Sequence, residues 1–298
     1  MPSSTKVRRK PAPGGGGVKK RQKRKAVKKR APKLTAKSAD KYELYQLAVN
    51  SPEADVEFLM KTFERLRGRE PRHLREDFCG TAALAAEWIS QGEEFTAEGF
   101  DLDPEPIEWG KRRNFEPLGE EAMRRMTFHR RDVRSRARRR PDVTSAPNFS
   151  YWLLRTRKEM LEYFRSTYRD LAKDGLFVLD LYGGPDAFIE MEEVRRLENG
   201  VQYVWDQIAY RPASGEYDCA IHFRFRDGSE MRNAFEYTWR FWHLTELKDL
   251  LLDAGFRTVD GYFEGSDEDN PEDGNGIFEK DEEGENIDAW IAYLVAAK

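Results

Sequence analysis

The sequence predicts an α/β protein whose core is a doubly wound, mostly parallel β-sheet. From residue 72 onward, short apolar runs alternate with longer amphipathic ones, which is the pattern of strand–helix–strand units. Strands are predicted near 72–78, 95–101, 126–131, 142–149 and 175–182. Helices are predicted between them near 82–91, 104–115 and 157–172, and apolar residues at three- and four-residue steps predict two more helices within 39–70.

A different pattern follows the fifth predicted strand. Three segments alternate with period two around turn signals, as in an antiparallel meander: 201–211, 217–226 and 230–242. Helical spacing returns at 245–254, and two last strands are predicted at 256–263 and 288–296. We therefore expect an antiparallel β insertion, residues 183–242, before the last helix, and an exposed acidic loop at 264–286.

The charge distribution divides the chain at residue 38. The net charge is only −3, but residues 1–38 hold 15 Lys and Arg and no acid, which leaves 36 of the 51 bases to oppose 54 acids. The segment 1–38 also lacks apolar periodicity, so we expect a disordered basic tail in front of a folded domain at 39–298. Because the tail has no aromatic residue to stack on a base, it predicts at most weak, nonspecific contact with nucleic acid.

Cysteine content and hydropathy argue against several classes of protein. Cys79 and Cys219 have no metal-ligand spacing, so neither a zinc site nor a disulfide framework is expected, and we expect no bound metal. The N-terminus lacks an apolar signal segment, and no window approaches 18 apolar residues. We therefore expect a cytoplasmic protein with no membrane partner.

Three of the predicted strands lead into carboxylates. Glu76-Asp77-Phe78-Cys79-Gly80-Thr81-Ala82 ends the first strand in acids and opens a turn of small residues, which brings backbone N–H groups close to a ligand. Asp101-Leu102 ends the second strand, where a carboxylate can accept both hydroxyls of a ribose. Asp132-Val133 follows the third strand, where an acid and an apolar side chain can hold an adenine. Together these segments predict a site for a nucleoside-containing cofactor.

These segments, followed by Asn148-Phe149-Ser150 and by 171–180, resemble the consecutive motifs of class I S-adenosylmethionine (SAM)-dependent methyltransferases. The resemblance covers roughly residues 70–297. It implies a Rossmann-like, seven-stranded methyltransferase sheet, an enzyme of that kind, and SAM as the cofactor. By position, the residues that it assigns to SAM are Glu76, Phe78, Cys79, Gly80, Asp101, Leu102, Asp132, Val133 and Asn148.

The first motif departs from the family pattern at two positions. The family usually has three glycines there, and this chain keeps Gly80 but has Phe78 and Ala82 at the other two. A side chain removes easy access to positive φ and close backbone approach. Either the loop follows a different path or SAM binds more weakly, and the intact downstream motifs favour a different path.

Residues that contact the methyl acceptor are expected after the fourth strand and in the aromatic-rich insertion. The candidates are Tyr151, Tyr210, Tyr237 and Arg240, since aromatic faces attract cations such as a sulfonium. No general base stands out from the sequence. Tyr151, Tyr182 and His222 are weak catalytic candidates, and His243 and Glu236 are further ones that the sequence does not rank.

Three functions remain open at this point. Methyl transfer to a small molecule is favoured, because a meander folded over the carboxyl edge of the sheet tends to enclose a small acceptor. One alternative is methylation of a macromolecule, such as RNA or a ribosomal or other protein, with the basic tail as a tether. The other is a SAM-binding module without catalysis, which the altered first motif allows.

Overall fold

The computed structural model describes residues 34–266 and 274–298. The predicted disorder of residues 1–33 therefore lies outside the described residues. Residues 36–38 form a turn, and the Ala36 N–H donates to Ser229 Oγ at 3.0 Å. The folded domain thus begins before the predicted boundary at residue 38, because this short segment packs against the insertion.

Seven α-helices and twelve strands make up the described part of the chain. The helices are α1 (Lys41–Val49), α2 (Pro52–Arg67), α3 (Ala83–Ser90), α4 (Pro104–Gly110), α5 (Glu120–Arg125), α6 (Arg157–Asp170) and α7 (Leu244–Ala254). The strands are β1 (His73–Asp77), β2 (Thr96–Asp101), β3 (Met126–Arg130), β4 (Val143–Ala146), β5 (Leu176–Gly183), β6 (Met191–Arg196), β7 (Gln202–Arg211), β8 (Glu216–Arg224), β9 (Glu230–Arg240), β10 (Thr258–Ser266), β11 (Gly274–Lys280) and β12 (Trp290–Ala297).

The main sheet has eight strands in the order β11-β10-β12-β5-β4-β1-β2-β3. Strands β1 to β5 are parallel, and β10 to β12 are antiparallel to their neighbours. All five parallel strands were predicted in place from their apolar runs. Because parallel strands end at one edge, the segments after β1, β2, β3, β4 and β5 meet there.

The prediction of seven strands is wrong by one, and so is the prediction that all of 264–286 is loop. Strand β11 lies within that acidic segment and pairs with the edge of β10. The Phe278 ring of β11 contacts the rings of Phe58 and Tyr293. These two ring contacts hold a strand whose sequence, rich in acids on both sides, gave no strand pattern. Residues 267–273 lie outside the described part.

Local sequence explains where the longer helices begin and end. Helix α2 has Pro52 at its first position and ends at Gly68, whose φ of 68° is left-handed. Helix α6 begins with a capping box, in which the Thr156 hydroxyl accepts from the Glu159 N–H and the Glu159 carboxylate accepts from the Thr156 N–H. These caps fix the helix ends next to the sheet.

Residues 131–142 connect β3 to β4 without a helix and cover one face of the sheet. The buried Arg75 guanidinium of β1 donates to the carbonyls of Val133 and Ser135. It also forms ion pairs with Asp77 at 2.7 Å and Asp170 at 2.6 Å. A buried cation is tolerated only when its donors are satisfied, and these four partners meet that requirement.

A second buried charge holds the same crossover at its other end. The Glu98 carboxylate of β2 accepts from the backbone N–H groups of Arg138 at 2.8 Å and Arg139 at 2.9 Å. It also lies 3.3 Å from His73 Nε2 and 2.6 Å from His129 Nε2. Burial by itself raises the pKa of Glu98, but these four partners outweigh it and lower the pKa to about 2.

The insertion is a separate four-stranded antiparallel sheet in the order β6-β7-β8-β9. The prediction gave three of these strands and missed β6. The missed strand reads Met-Glu-Glu-Val-Arg-Arg, and all six residues are exposed, so no apolar alternation marks it. The inner face of the insertion sheet carries Tyr203, Trp205 and Tyr237, and it packs on α1 and on the segments after β4 and β5. The opposite face is the outer face of the insertion.

Replacing Glu98 with Gln should destabilise the domain by about 2–3 kcal/mol at pH 7, because buried donors lose an ionised partner. The folded pKa is depressed, so this contribution is present above about pH 4.5 and is lost as the pH falls towards 2. Urea unfolding at pH 7 and pH 3 measures both effects. Glu94→Gln is the matched control, since Glu94 forms only an exposed ion pair with Arg72. Equal effects of the two variants would contradict the assignment.

Candidate functional site

The loop from β1 into α3 contains three left-handed residues within five positions. Their φ angles are 55° at Phe78, 50° at Gly80 and 53° at Ala82. The expectation that side chains at 78 and 82 make the loop avoid positive φ is therefore wrong. Each non-glycine residue in this region costs about 1–2 kcal/mol, which the surrounding contacts must offset.

Contacts from β2, α4 and α1 hold this loop. The Cys79 N–H donates to the Phe100 carbonyl at 3.0 Å, and the Gly80 N–H donates to Asp101 Oδ2 at 2.8 Å. Helix α4 approaches so closely that a Cβ on Gly110 would lie 2.1 Å from the Thr81 carbonyl oxygen. From α1, Gln46 Nε2 donates to Thr81 Oγ1 at 2.8 Å. The loop is thus built jointly by three distant segments.

Two side chains of this loop pack against neighbouring elements of the fold. Cys79 is buried, and burial raises the pKa of its thiol well above the usual value. Its sulfur packs against Gly99, where an added Cβ would lie 2.8 Å away. The Phe78 ring is half-buried and lies edge-on to Tyr163. By contrast, a Cβ on Gly80 would meet no atom within 4 Å, so the loop borders open space at that residue.

Glu76 is the penultimate residue of β1, two positions before Phe78 of the loop. Its Oε2 accepts from the Ala85 N–H of α3 at 2.9 Å, and its side chain is buried. Burial is the main reason that its pKa is raised to about 8, and the nearby Asp101 and Asp55 carboxylates raise it further. A cationic group placed next to Glu76 would favour its ionised form.

Asp101 and Leu102 form the end of β2 as predicted. Asp101 is half-buried; Oδ2 accepts from Gly80 and Oδ1 from the Asp103 N–H at 2.9 Å, and burial raises its pKa. Leu102 follows with 64% of its surface exposed. An oriented carboxylate beside an exposed apolar side chain suits the ribose and base of a nucleoside.

Asp132 and Val133, after β3, are less available than predicted. Arg134 binds the Asp132 carboxylate through Nε at 2.8 Å and Nη2 at 2.6 Å, and this hydrogen bonding lowers the Asp132 pKa. Val133 is buried, and its carbonyl accepts from Arg75. The fold brings this segment to the carboxyl edge, but an adenine amino group would share Asp132 with Arg134.

Sequence reasoning missed Asp180, which lies within β5, one residue beyond Leu179, the last β5 residue that pairs with β4. Its carboxylate accepts from the N–H groups of Asn148 at 2.6 Å and Phe149 at 2.9 Å. Both of these residues have positive φ, 60° and 55°, so Asp180 fixes the turn after β4. Asp180 is half-buried, and burial raises its pKa to about 7. The signal was available, because Asp180 is an acid that follows the apolar run Leu176–Leu179 within a predicted strand.

Aromatic side chains from five segments lie in the region of Asp180, which binds the Phe149 N–H. Tyr45 of α1 interacts electrostatically with Asp180 and with Tyr237 of β9. Burial is the main cause of raised pKa values at both tyrosines, so both stay neutral at physiological pH. The connected rings nearby are those of Phe149, Trp152, Tyr182, Trp205, Tyr237 and Trp239. Of the four predicted acceptor contacts, Tyr237 is the one linked to Tyr45.

The other tyrosine candidates have different positions. Tyr151 is fully buried, and its hydroxyl donates to the Asp180 carbonyl at 2.7 Å, so it supports β5 and offers no surface to an acceptor. Tyr182 stacks on Trp152 with ring centroids 5.2 Å apart. Tyr210 is half-buried and packs against Phe188, with ring centroids 4.7 Å apart, towards the end of β7. These residues shape the region around Asp180.

Arg240, predicted as an acceptor contact, and His222, a weak catalytic candidate, both lie on the outer face of the insertion, away from the aromatic face. Strand register decides this, because Arg240 pairs with Glu216 and His222 with Val204, whose side chains point away from the aromatic face. Arg240 forms an ion pair with Glu246 at 2.9 Å. It lies over the ring of Trp242, not beside Asp180.

The ligand-capable atoms of Glu192, Asp206 and His222 lie within 4.8 Å of one another on the same face. The Asn233 N–H donates to His222 Nδ1 at 2.8 Å, which leaves the ring proton on Nε2, 3.1 Å from Asp206. That tautomer offers no lone pair at Nε2, and Glu192 is held by Arg224 at 2.6 Å. The group is therefore satisfied by hydrogen bonds and an ion pair.

Comparison with known proteins defines the class of fold. No protein-family model matches the sequence, and no curated protein is detectably similar in sequence. The structure is similar to those of methyltransferases, and the chain has the class I SAM-dependent methyltransferase fold. Within the described residues, no helix is long and apolar enough to cross a membrane.

Three solved structures illustrate the likeness. DesVI from Streptomyces venezuelae is 18% identical with a TM-score of 0.60, over 86% of this chain and 95% of its own. CalS10, a SAM-bound amino pentose methyltransferase from Micromonospora echinaspora, is 16% identical with a TM-score of 0.60, over 87% and 97%. The sugar N-methyltransferase KedS8 from Streptoalloteichus is 16% identical with a TM-score of 0.57, over 93% and 99%.

Replacing Ala82 with Gly should raise the free energy of unfolding by about 0.5 kcal/mol, because glycine adopts positive φ without strain. Ala85→Gly is the control: Ala85 is also buried but lies inside α3, so glycine there should lower stability by about 1 kcal/mol. Thermal and urea unfolding give both values. Equal losses in the two variants would show that the backbone at Ala82 is not strained.

Proposed function

We propose that the protein transfers the methyl group of SAM to a small-molecule acceptor, and that the acceptor atom is an amine nitrogen. The observation that carries the proposal is Asp180, a half-buried carboxyl group with a pKa of about 7 among aromatic rings at the carboxyl edge of the sheet. The similar structures CalS10 and KedS8 are described as an amino pentose and a sugar N-methyltransferase. Their acceptors support the amine assignment.

The residues at the carboxyl edge fit SAM. When bound, SAM supplies an activated methyl group on a sulfonium. Asp101 has a position for a ribose, Leu102 has an exposed apolar surface for the base, and the space beside Gly80 admits a ligand against the backbone. The Asp101 and Asp55 carboxylates raise the pKa of Glu76, so a ligand with ammonium and sulfonium charges would relieve this repulsion.

Asp180 is placed to act on the acceptor nitrogen. An amine attacks only in its neutral form, so a nearby group must take its proton. Asp180 already has two fixed N–H donors, and each carboxylate oxygen can accept one further hydrogen bond. With a pKa near 7, it can exchange a proton at physiological pH.

Helix α1 and the insertion would enclose the acceptor and exclude water. Leu44 and Ala48 of α1 pack against Tyr203 and Ile221 on the inner face of the insertion. The same helix contacts the loop after β1 through Gln46, and it contacts Phe235 on the inner face of the insertion through Tyr45. A site covered from both sides suits a small acceptor better than a large one, because a macromolecule would have to displace α1.

Asp101→Ala should weaken SAM binding by about 1.5–3 kcal/mol, the scale of a lost pair of charge-assisted hydrogen bonds. Asp103→Ala is the matched control, since Asp103 caps α4 through the Glu105 N–H and is not assigned to the ligand. Isothermal titration calorimetry with SAM and S-adenosylhomocysteine measures both variants. Unchanged affinity in Asp101→Ala would remove the ribose assignment.

Asp180→Asn should lower kcat by at least about tenfold while SAM affinity changes little, because the amide cannot take a proton. In the unmodified protein, kcat/KM should rise with pH through about 7, where Asp180 ionises, and then level off. The variant should lose this step. The assay supplies labelled SAM with a library of amines, beside RNA and protein extracts. Label found only in macromolecules, or in no acceptor, would favour the corresponding alternative function.

A further inference from the structure

Strand β6 is an edge of the insertion sheet, and within residues 34–266 and 274–298 its second side pairs with no other strand. An edge strand offers a row of backbone N–H and C=O groups to any further strand. All six β6 residues are exposed, and Val194 at its centre is 45% exposed. The surface is therefore open and regular, with an apolar residue in the middle.

The charged residues of β6 are arranged symmetrically about Val194, with acids on one side and bases on the other. Two acids, Glu192 and Glu193, precede Val194, and two bases, Arg195 and Arg196, follow it. Glu192 and Arg196 lie on the outer face, while Glu193 and Arg195 lie on the inner face, as their partners in β7 show. Natural edge strands commonly carry charges of one kind that repel other copies. This strand carries both kinds, arranged around one residue.

Antiparallel pairing of two copies about Val194 makes every cross-strand charge pair attractive. In this register Val194 faces Val194 of the second copy, Glu192 faces its Arg196, and Glu193 faces its Arg195. Each pair also lies on one face, because a two-fold axis through the centre preserves the side to which residues point. Two outer and two inner ion pairs thus flank one apolar contact.

The neighbouring registers and the parallel arrangement are unfavourable. A shift that keeps the faces matched places Glu193 against Glu193 in one direction and Arg195 against Arg195 in the other. A parallel pair in register places acids against acids and bases against bases. Like charges directly opposite each other destabilise strand pairing. The sequence of β6 therefore selects one register.

The monomer leaves part of this charge set unused. Glu192 is bound by Arg224, and the Arg195 guanidinium donates to the Ala48 carbonyl. Among the described residues, Glu193 and Arg196 form no ion pair, although both side chains are exposed. In the antiparallel register each of these two residues gains a partner of opposite charge. Met191, 38% exposed, adds apolar surface beside the strand.

We propose that β6 is a docking surface for a second copy of this chain, in an antiparallel register centred on Val194 that joins the two insertion sheets into one eight-stranded sheet. One strand pair is a small interface, so we expect a dimer that dissociates with a Kd on the order of 10 µM. The ion pairs are exposed, so the Kd should rise as salt is added.

Sedimentation velocity of the full chain between about 1 and 200 µM tests the proposal. Val194→Lys places two like charges on the two-fold axis and should raise the Kd at least tenfold, while Val194→Thr should leave it within about threefold. Because Val194 is exposed, neither variant should change the melting temperature by much. A native chain that stays monomeric at 200 µM, or a Val194→Lys variant that dimerises like the native chain, overturns the proposal.

A mixing experiment tests the charge register itself. Arg195→Glu/Arg196→Glu has an all-acidic edge, and Glu192→Arg/Glu193→Arg has an all-basic edge, so each alone should be monomeric. An equimolar mixture should form a heterodimer, since every cross-strand pair then joins opposite charges. Circular dichroism checks that each variant is folded. Failure of two folded variants to associate, or dimerisation of each alone, would show that β6 does not pair in this register.

Discussion

The left-handed loop between β1 and α3 is the constraint on which the site depends. Phe78 and Ala82 occupy a backbone region that favours glycine, so the loop persists only because other segments hold it. Those segments are the end of β2 through Asp101, helix α4 through its close approach at Gly110, and α1 through Gln46. The loop, the Asp101 carboxylate, helix α4 and helix α1 are therefore mechanically one unit.

The segment between β3 and β4 has no helix, and two buried charged side chains hold it against the sheet. Arg75 and Glu98 each bind two backbone groups of the crossover and two side chains. Removing any partner would leave an uncompensated charge in the interior, which is far more costly than losing a surface ion pair. The same hydrogen bonds hold the backbone of Val133, and so fix the segment that follows β3 at the carboxyl edge of the sheet.

The insertion has two faces with different chemistry. Its inner face presents Tyr203, Trp205 and Tyr237 to α1 and to the strand ends, where Asp180 lies. Its outer face carries charged groups, among them Asp206, which pairs with His222, and Arg240, which pairs with Glu246 of α7. The period of two in each strand separates these roles. One four-stranded sheet can thus cover a site and still offer a surface for association.

The sequence by itself determined the five parallel strands, the helices α3, α4 and α6 between them (but not α5), and the acids Asp101 and Asp132 at the strand ends, because these depend on local periodicity and on the rule that parallel strands end at one edge. It missed β6 and β11, whose charged residues hide the alternation, and it treated Phe78 and Ala82 as obstacles to positive φ. Only the tertiary structure decided that Tyr45 lies close enough to Asp180 to interact with it electrostatically, and that Arg240 points away. Those placements depend on strand register and on packing between distant segments, which no local pattern encodes.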